Sequence, residues 1–280
     1  MIQKKFVYSQ NFVKSPGLIR GLLDKTNIGL EDVVLDIGAG RGKITKELCK
    51  VAGSVIAYEQ DRTFWELLKE IKDDKEVNPR NNINLVFQDF LKSYLPQDKY
   101  KVFSNIPFNQ TARIVDKLLF GKNPPMSTYL FMQFEAARRY VGRPVGREMM
   151  LSIILKHSFK VKILHNFQAE DFTPPPGVEV VFVEFTRNED FNQAEFKKFG
   201  KFIKFFFKIG HPELIKSLRK IFTEPQVQKM LSNFQIRRDA TLGDIGIREW
   251  TEIYEIFNTL VDDKKRRRIY GIENDRLKGK

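Results

Sequence analysis

The chain has 280 residues, 42% of them hydrophobic and 30% charged, a composition that excludes a disordered chain and a disulfide-stapled miniprotein. A single cysteine, Cys49, excludes an internal disulfide and every multi-cysteine zinc site. Lys and Arg number 48 against 35 acids, a net charge of +13. A surplus of that size favours polyanionic partners, above all nucleic acid, over the plainer reading of a merely basic protein. His157, His165 and His211 share no ligand spacing, so no metal is expected. No run of 18 apolar residues exists to cross a membrane, and Met1–Phe6 lacks an apolar signal region, which predicts a cytoplasmic protein.

In chain order, Val33–Gly38 is a short apolar run ending in glycine and reads as a buried parallel strand. Residues 43–52 carry apolar positions at 44, 48, 51 and 52, which is helical spacing. Ser54–Tyr58 reads as a second strand, 61–72 as a helix, Ile83–Phe87 as a third strand and Lys101–Ser104 as a fourth. Residues 111–120 and 129–141 are predicted helical. Lys160–Leu164 and Val178–Phe185 read as strands with no helix between them, which predicts an antiparallel hairpin at the sheet edge. This alternation predicts an α/β domain with a mainly parallel sheet over 1–186. From 187 to 280 apolar residues keep helical spacing and Pro212, Pro225, Gly243 and Gly246 punctuate short helices. A small all-helical domain is therefore predicted there, with 21 basic residues against 14 acids. The run Lys264–Arg268 is its densest patch, and it reads either as an RNA contact or as a solvated tail.

Gly38-Ala39-Gly40-Arg41-Gly42 lies between the first strand and the first helix. Glycines there permit positive φ and let a ligand approach the backbone, and the following helix N-terminus offers free N–H groups. A dinucleotide fingerprint needs its third glycine where Lys43 stands. S-adenosylmethionine is the other ligand that such a turn takes. It calls for a carboxylate at the end of strand two to accept the ribose hydroxyls, and Glu59 lies there, beside Gln60. It also calls for an acid after strand three to accept the adenine amino group. Asp89 supplies it, with Phe90 available to flank the purine.

After strand four comes Asn105-Ile106-Pro107-Phe108. An exocyclic amine on a nucleobase is a poor nucleophile because its lone pair is delocalised into the ring. Acceptors for both of its N–H protons draw the nitrogen toward tetrahedral geometry. The Asn105 side-chain oxygen can be one acceptor and the Ile106 carbonyl the other. Pro107 holds Ile106 extended so that this carbonyl can be aimed. Phe108 can stack on the base, worth about 1–3 kcal/mol. A turn with a buried Phe is the bland alternative.

Ser9-Gln10-Asn11-Phe12, Asp36–Gly42, Glu59, Gln88-Asp89-Phe90, Asn105–Phe108 and Asp171-Phe-Thr-Pro-Pro-Pro176 together resemble the ordered motifs of the rRNA adenine N6-dimethyltransferases, the Erm resistance enzymes and the KsgA-type small-subunit enzymes. The resemblance implies a Rossmann-like, S-adenosylmethionine-dependent methyltransferase domain with a small helical C-terminal domain. It implies that Gln10 and Asn11 close over the methionyl part of the cofactor, that Gly38, Gly40 and Asn105 also bind the cofactor, and that Phe172 faces Phe108 across a flipped adenine. Ile106 and Phe108, and the segment Phe131–Arg139, look more like Erm, which implies 23S rRNA as substrate and macrolide-lincosamide-streptogramin resistance as phenotype. A KsgA-type 16S rRNA enzyme is the alternative. The sequence departs from the family pattern at Ser104, Gln60 and Pro176-Gly177, positions that bear on cofactor affinity and the width of the target pocket. A monomer is expected. A non-catalytic binding protein on the same fold and a nicotinamide oxidoreductase are the other readings, and the intact Asn105–Phe108 motif disfavours the first.

Overall fold

Short apolar runs that end in glycine or a polar residue form one half of the main sheet, and the inner ones among them are buried on both faces. In the computed structural model, which describes residues 11–209 and 211–271, these runs are β2 (Val33–Ile37), β3 (Ser54–Glu59), β4 (Ile83–Phe87) and β5 (Lys101–Asn105). With β6 (Ser127–Gln133), β7 (Phe159–Asn166) and β9 (Val180–Arg187) they make a seven-stranded sheet of order β4-β3-β2-β5-β6-β9-β7. β2 runs parallel to β3 and β5, β3 to β4, and β5 to β6. β9 is antiparallel to β6. A separate short pair joins β1 (Phe12–Val13) to β8 (Phe172–Thr173).

The connecting helices are α1 (Pro16–Leu23), α2 (Lys43–Val51), α3 (Arg62–Asp73), α4 (Thr111–Leu119) and α5 (Phe134–Val141). Polar side chains start two of them. The Ser15 hydroxyl accepts the Leu18 N–H at 3.2 Å with Pro16 in the first turn, and Asp61 accepts the N–H groups of Thr63 and Phe64 at 2.8 and 3.3 Å. The core beneath the sheet is aromatic: Phe103, Phe131 and Phe182 are fully buried, with ring centroids 5.1–5.8 Å apart.

One predicted element changes type. Residues 129–141 are predicted helical, but 127–133 are β6 and the helix starts at Phe134. Tyr129, Leu130, Phe131 and Met132 are all fully buried, and a run buried on both faces carries no periodicity that separates strand from helix. The last two predicted strands are neighbours at the sheet edge, with β9 inside and β7 outermost.

The chain divides into two compact units, Met1–Ala137 with Lys162–Arg187, and Arg138–Val161 with Asn188–Lys280. A single division at 186/187 therefore misassigns residues 138–161. They include α6 (Met150–Lys156) and pack with the helical unit. The Asn188 N–H bonds the Ser158 carbonyl at 3.0 Å, His157 stacks on Phe199 at 4.0 Å, and Arg143 donates to the Asp244 carbonyl at 2.7 Å.

The second unit continues with α7 (Gln193–Lys208), α8 (Leu214–Leu218), α9 (Glu224–Asn233), α10 (Ile247–Leu260) and α11 (Asp263–Gly271). Phe196, Phe199, Phe202 and Phe206 of α7 are buried at three- and four-residue intervals, and Phe202 meets Phe257 of α10 at 4.9 Å. The basic run lies on α11, where several of its cations serve the fold. Lys265 donates to the Ile221 carbonyl at 2.7 Å, Arg266 donates to the Asn258 carbonyl, and Arg266 and Arg267 each reach Asp263 at 2.9 Å. Lys264 and Arg268 are exposed. Among the described residues no helix is long and apolar enough to cross a membrane, and no group of three or more His, Cys, Asp or Glu is placed to hold a metal ion.

Candidate active site

The sheet order reverses between β2 and β5, because the chain runs outward through β3 and β4 and returns to the other side of β2. A crevice opens at the carboxyl ends of the strands at such a point. Here β2 and β5 pair through Val34–Lys101 and Leu35–Val102. Two residues further along, a side chain joins them: Ser104 Oγ accepts the Ile37 N–H at 3.0 Å and donates to the Ile37 carbonyl at 2.8 Å. Gly38 follows Ile37 and Asn105 follows Ser104, so the hydroxyl fixes the spacing of the two loops that wall the crevice.

The glycine loop turns back over β3. Gly38 and Ala39 both donate N–H to the Tyr58 carbonyl, at 2.9 and 3.0 Å. Gly38, Gly40 and Gly42 have φ of 70°, 54° and 71°, a region that other residues enter at a cost. Glu59, 3% exposed, organises the loop: Oε2 accepts the Gly40 N–H at 2.8 Å, and Oε1 accepts those of Gln60 and Asp61 at 2.7 and 2.8 Å. Oε2, with one donor in place, keeps a lone pair for a ligand hydroxyl. Asp36 sits below the loop and accepts the Thr45 hydroxyl at 2.7 Å. Burial pushes its carboxyl up to about 7, and repulsion from Glu59 adds to the rise.

Asn105 ends β5. Its Nδ2 donates to the Asn11 carbonyl at 2.6 Å. A carbonyl can only accept, so the partner fixes which way the amide faces and leaves Oδ1 as an acceptor. Pro107 has φ −58° and is followed by the short turn Phe108–Gln110.

Two cavities meet at Gly38 and Pro107. The first is lined by Asn11, Phe12, Asp36, Arg41, Lys43 and the tetrapeptide Asn105–Phe108, among others. The second is lined by Glu59, Gln60, Asp89, Phe90, Gln110 and Ile114, with Tyr58 and Gln88. Asp89 Oδ1 caps the next turn through the Leu91 N–H at 2.9 Å. Phe90 packs edge-on against Tyr58 at 5.2 Å.

Most predicted site residues thus converge. Asn11, Gly38, Asn105, Ile106, Pro107 and Phe108 line the first cavity, and Glu59, Gln60, Asp89 and Phe90 the second. Gln10 lies outside the described residues. Two residues stand elsewhere than expected. Gly40 lines neither cavity; a Cβ on it would stand 2.6 Å from Phe12 Cε1, so its bare backbone makes room for Phe12. Phe172 is fully buried with its ring 5.2 Å from Phe167, and it is not among the cavity-lining residues. In this structure β8 turns the Phe172 ring into the core, away from the cavity that Phe108 lines. Sequence reasoning assigned no role to Phe12, over whose ring the Arg41 guanidinium stands at 5.2 Å, or to Lys43, which donates to the Lys14 carbonyl at 3.0 Å. Ser104 was visible only as a departure from pattern.

The family model described as ribosomal RNA adenine dimethylase matches residues 1–259. The chain belongs to this family. It is 30% identical over 257 residues to an rRNA adenine N-6-methyltransferase of Bacillus licheniformis, covering 90% of this chain and 85% of the relative. It is also 30% identical over 259 residues to ribosomal RNA small subunit methyltransferase A of Thermotoga petrophila, covering 91% of this chain and 92% of the relative. Among solved structures, the 23S rRNA methyltransferase ErmE aligns with a TM-score of 0.77 at 22% identity, over 89% of this chain and 100% of that one. The ribosomal RNA adenine dimethylases are S-adenosylmethionine-dependent methyltransferases of Rossmann-like fold. The residues here suit that cofactor. The carboxylates of Glu59 and Asp89 line the second cavity and could accept from its hydroxyls and amino group, and the first cavity adjoins at Gly38 and Pro107.

Proposed function

We propose that this chain methylates N6 of an adenine in 23S rRNA, as Erm enzymes do, and so confers macrolide-lincosamide-streptogramin resistance. The observation that carries the chemistry is the Asn105 amide, held by the Asn11 carbonyl so that Oδ1 is left as an acceptor beside Pro107. Bound across the two cavities, S-adenosylmethionine supplies an electrophilic methyl group.

The protein's own groups do the rest. Glu59 and Asp89 accept from the ribose and adenine ends of the cofactor, and Gln60 and Phe90 flank the purine. Gly38 lets the cofactor pass close to the backbone, with Gly40 shaping the loop and Gln10 and Asn11 closing over its methionyl end. The target adenine leaves its stack to reach this site. Asn105 Oδ1 and the Ile106 carbonyl accept hydrogen bonds from its two N6–H groups, and Phe108 stacks on the ring. Phe172 supports this wall from behind, through the β1–β8 pair. Once methylated, N6 carries an acidic proton that passes to solvent, so no side-chain base is required. Lys and Arg supply a phosphate-binding field, with binding that weakens as salt rises. The enzyme acts as a monomer in the cytoplasm, where ribosomes are.

Ile106 and Phe108 favour the 23S target. The small-subunit reading keeps one specific support, the equal identity to the Thermotoga petrophila relative. Incubation of both rRNAs with enzyme and cofactor, followed by mass spectrometric mapping, decides between them. N6-methyladenine in 23S rRNA is expected. Modification confined to 16S rRNA replaces this reading with the alternative, and none in either overturns both.

A further inference from the structure

The wall of the second cavity is held from behind by a cation. α4 starts six residues after Asn105, and Lys117 lies in its last turn. Its ammonium donates to the Phe90 carbonyl, to the Ser93 carbonyl at 2.5 Å and to Ser93 Oγ at 3.4 Å. It also stands 4.5 Å from the centroid of the Phe90 ring. An ammonium has three donors and no acceptor, and here all of these contacts go to one short turn. That turn gathers its own carbonyls at one end. Its Phe90 carbonyl already accepts the Ser93 N–H at 3.1 Å and the Ser93 hydroxyl at 2.8 Å, and carbonyls gathered at a turn's end carry partial negative charge. The cation neutralises that charge. At the other end of the turn, Asp89 spends Oδ1 on the Leu91 N–H and turns toward the cavity with Phe90. Burial lowers the Lys117 pKa, and the Asp89 carboxylate opposes that shift.

We infer that Lys117 is a positioning residue for the adenine end of the cofactor, acting through the Asp89–Ser93 turn. It touches neither reacting atoms nor ligand. Its effect is to preset the carboxylate and the ring that recognise the purine, and to tie them to the helix that follows the target-base motif. The inference rests on the reading that the second cavity takes the adenine.

The test compares binding of S-adenosylhomocysteine and S-inosylhomocysteine by calorimetry. The inosyl compound carries a carbonyl where the adenine has its amino group, so it faces Asp89 acceptor to acceptor. Wild type is expected to prefer the adenosyl compound by about tenfold or more, the scale of a lost hydrogen bond to a charged group. Lys117→Met is expected to bind S-adenosylhomocysteine about tenfold more weakly and to lose most of that preference, with the kinetic loss falling on KM for the cofactor more than on kcat. Ser93→Ala, which removes one acceptor at the surface of the turn, is expected to shift the preference in the same direction by less. A thermal melt checks that each variant is folded, and Ser93→Ala decides if Lys117→Met is not. Unaltered preference in the folded variants overturns the role of Lys117 while leaving the adenine assignment intact. Equal binding of the two compounds by wild type overturns the adenine assignment itself, and the role of Lys117 with it.

Discussion

Asp36→Asn separates what the buried carboxyl does for stability from what it does for the loop. In the native protein burial and Glu59 raise the Asp36 pKa from 3.8 to about 7. Between those values the folded chain holds a proton that the unfolded chain has released, so stability falls as pH rises from about 4 to about 7. The difference is about 3 pH units, and at 1.36 kcal/mol per unit the full loss is about 4 kcal/mol. Asparagine removes the titration and keeps an oxygen for the Thr45 hydroxyl, which now bonds Asp36 at 2.7 Å. The variant should therefore match the wild type near pH 4 and gain on it steadily up to pH 7. Urea denaturation across pH 4–8 measures this, read as the difference between the two proteins so that all other titrations cancel. A constant difference over that range would refute the assignment of a raised Asp36 pKa.

Asn105→Ala removes an acceptor aimed at the substrate amine. Methyl transfer to rRNA should drop by about a hundredfold, on the scale of losing one preorganised polar group from an active site. Affinity for S-adenosylhomocysteine should change by only a few fold, and wild-type turnover would end the proposed chemistry. Gly40→Ala places a Cβ 2.6 Å from Phe12 Cε1 at a φ of 54°. A stability loss of about 1–3 kcal/mol is expected by chemical denaturation, with a fall in transfer rate because displaced Phe12 adjoins Asn11, which orients Asn105. A variant of native stability would mean that Phe12 is not packed on the loop.

The β4-β3-β2-β5 half of the sheet was legible because these strands are apolar runs with clear polar or glycine ends. β6 was not, since Tyr129–Met132 is buried on both sides and leads straight into a helix. The site was legible for a topological reason: Gly38, Glu59, Asp89 and Asn105 each stand at or just past the carboxyl end of a successive parallel strand, and parallel order brings such ends to one rim. What escaped the sequence is what depends on main-chain partners. The Asn105 amide is oriented by a carbonyl, and Lys117 meets two carbonyls. Carbonyls leave no mark in a sequence. Phe172 shows the reverse limit, since its motif marks the segment correctly but not the direction of its ring.

Residues 138–161 have a consequence for how this protein could be rebuilt. Because the polypeptide leaves the sheet unit after Ala137, returns at Lys162 and leaves again after Arg187, neither unit is one continuous stretch of chain. A chimera that moved only the residues after 187 would part the transplanted helices from Arg143, His157 and Ser158, which clasp Asp244, Phe199 and Asn188. Transplanting the helical unit between relatives requires three junctions, after Ala137, Val161 and Arg187, so recombination that preserves the fold has to move a discontinuous block.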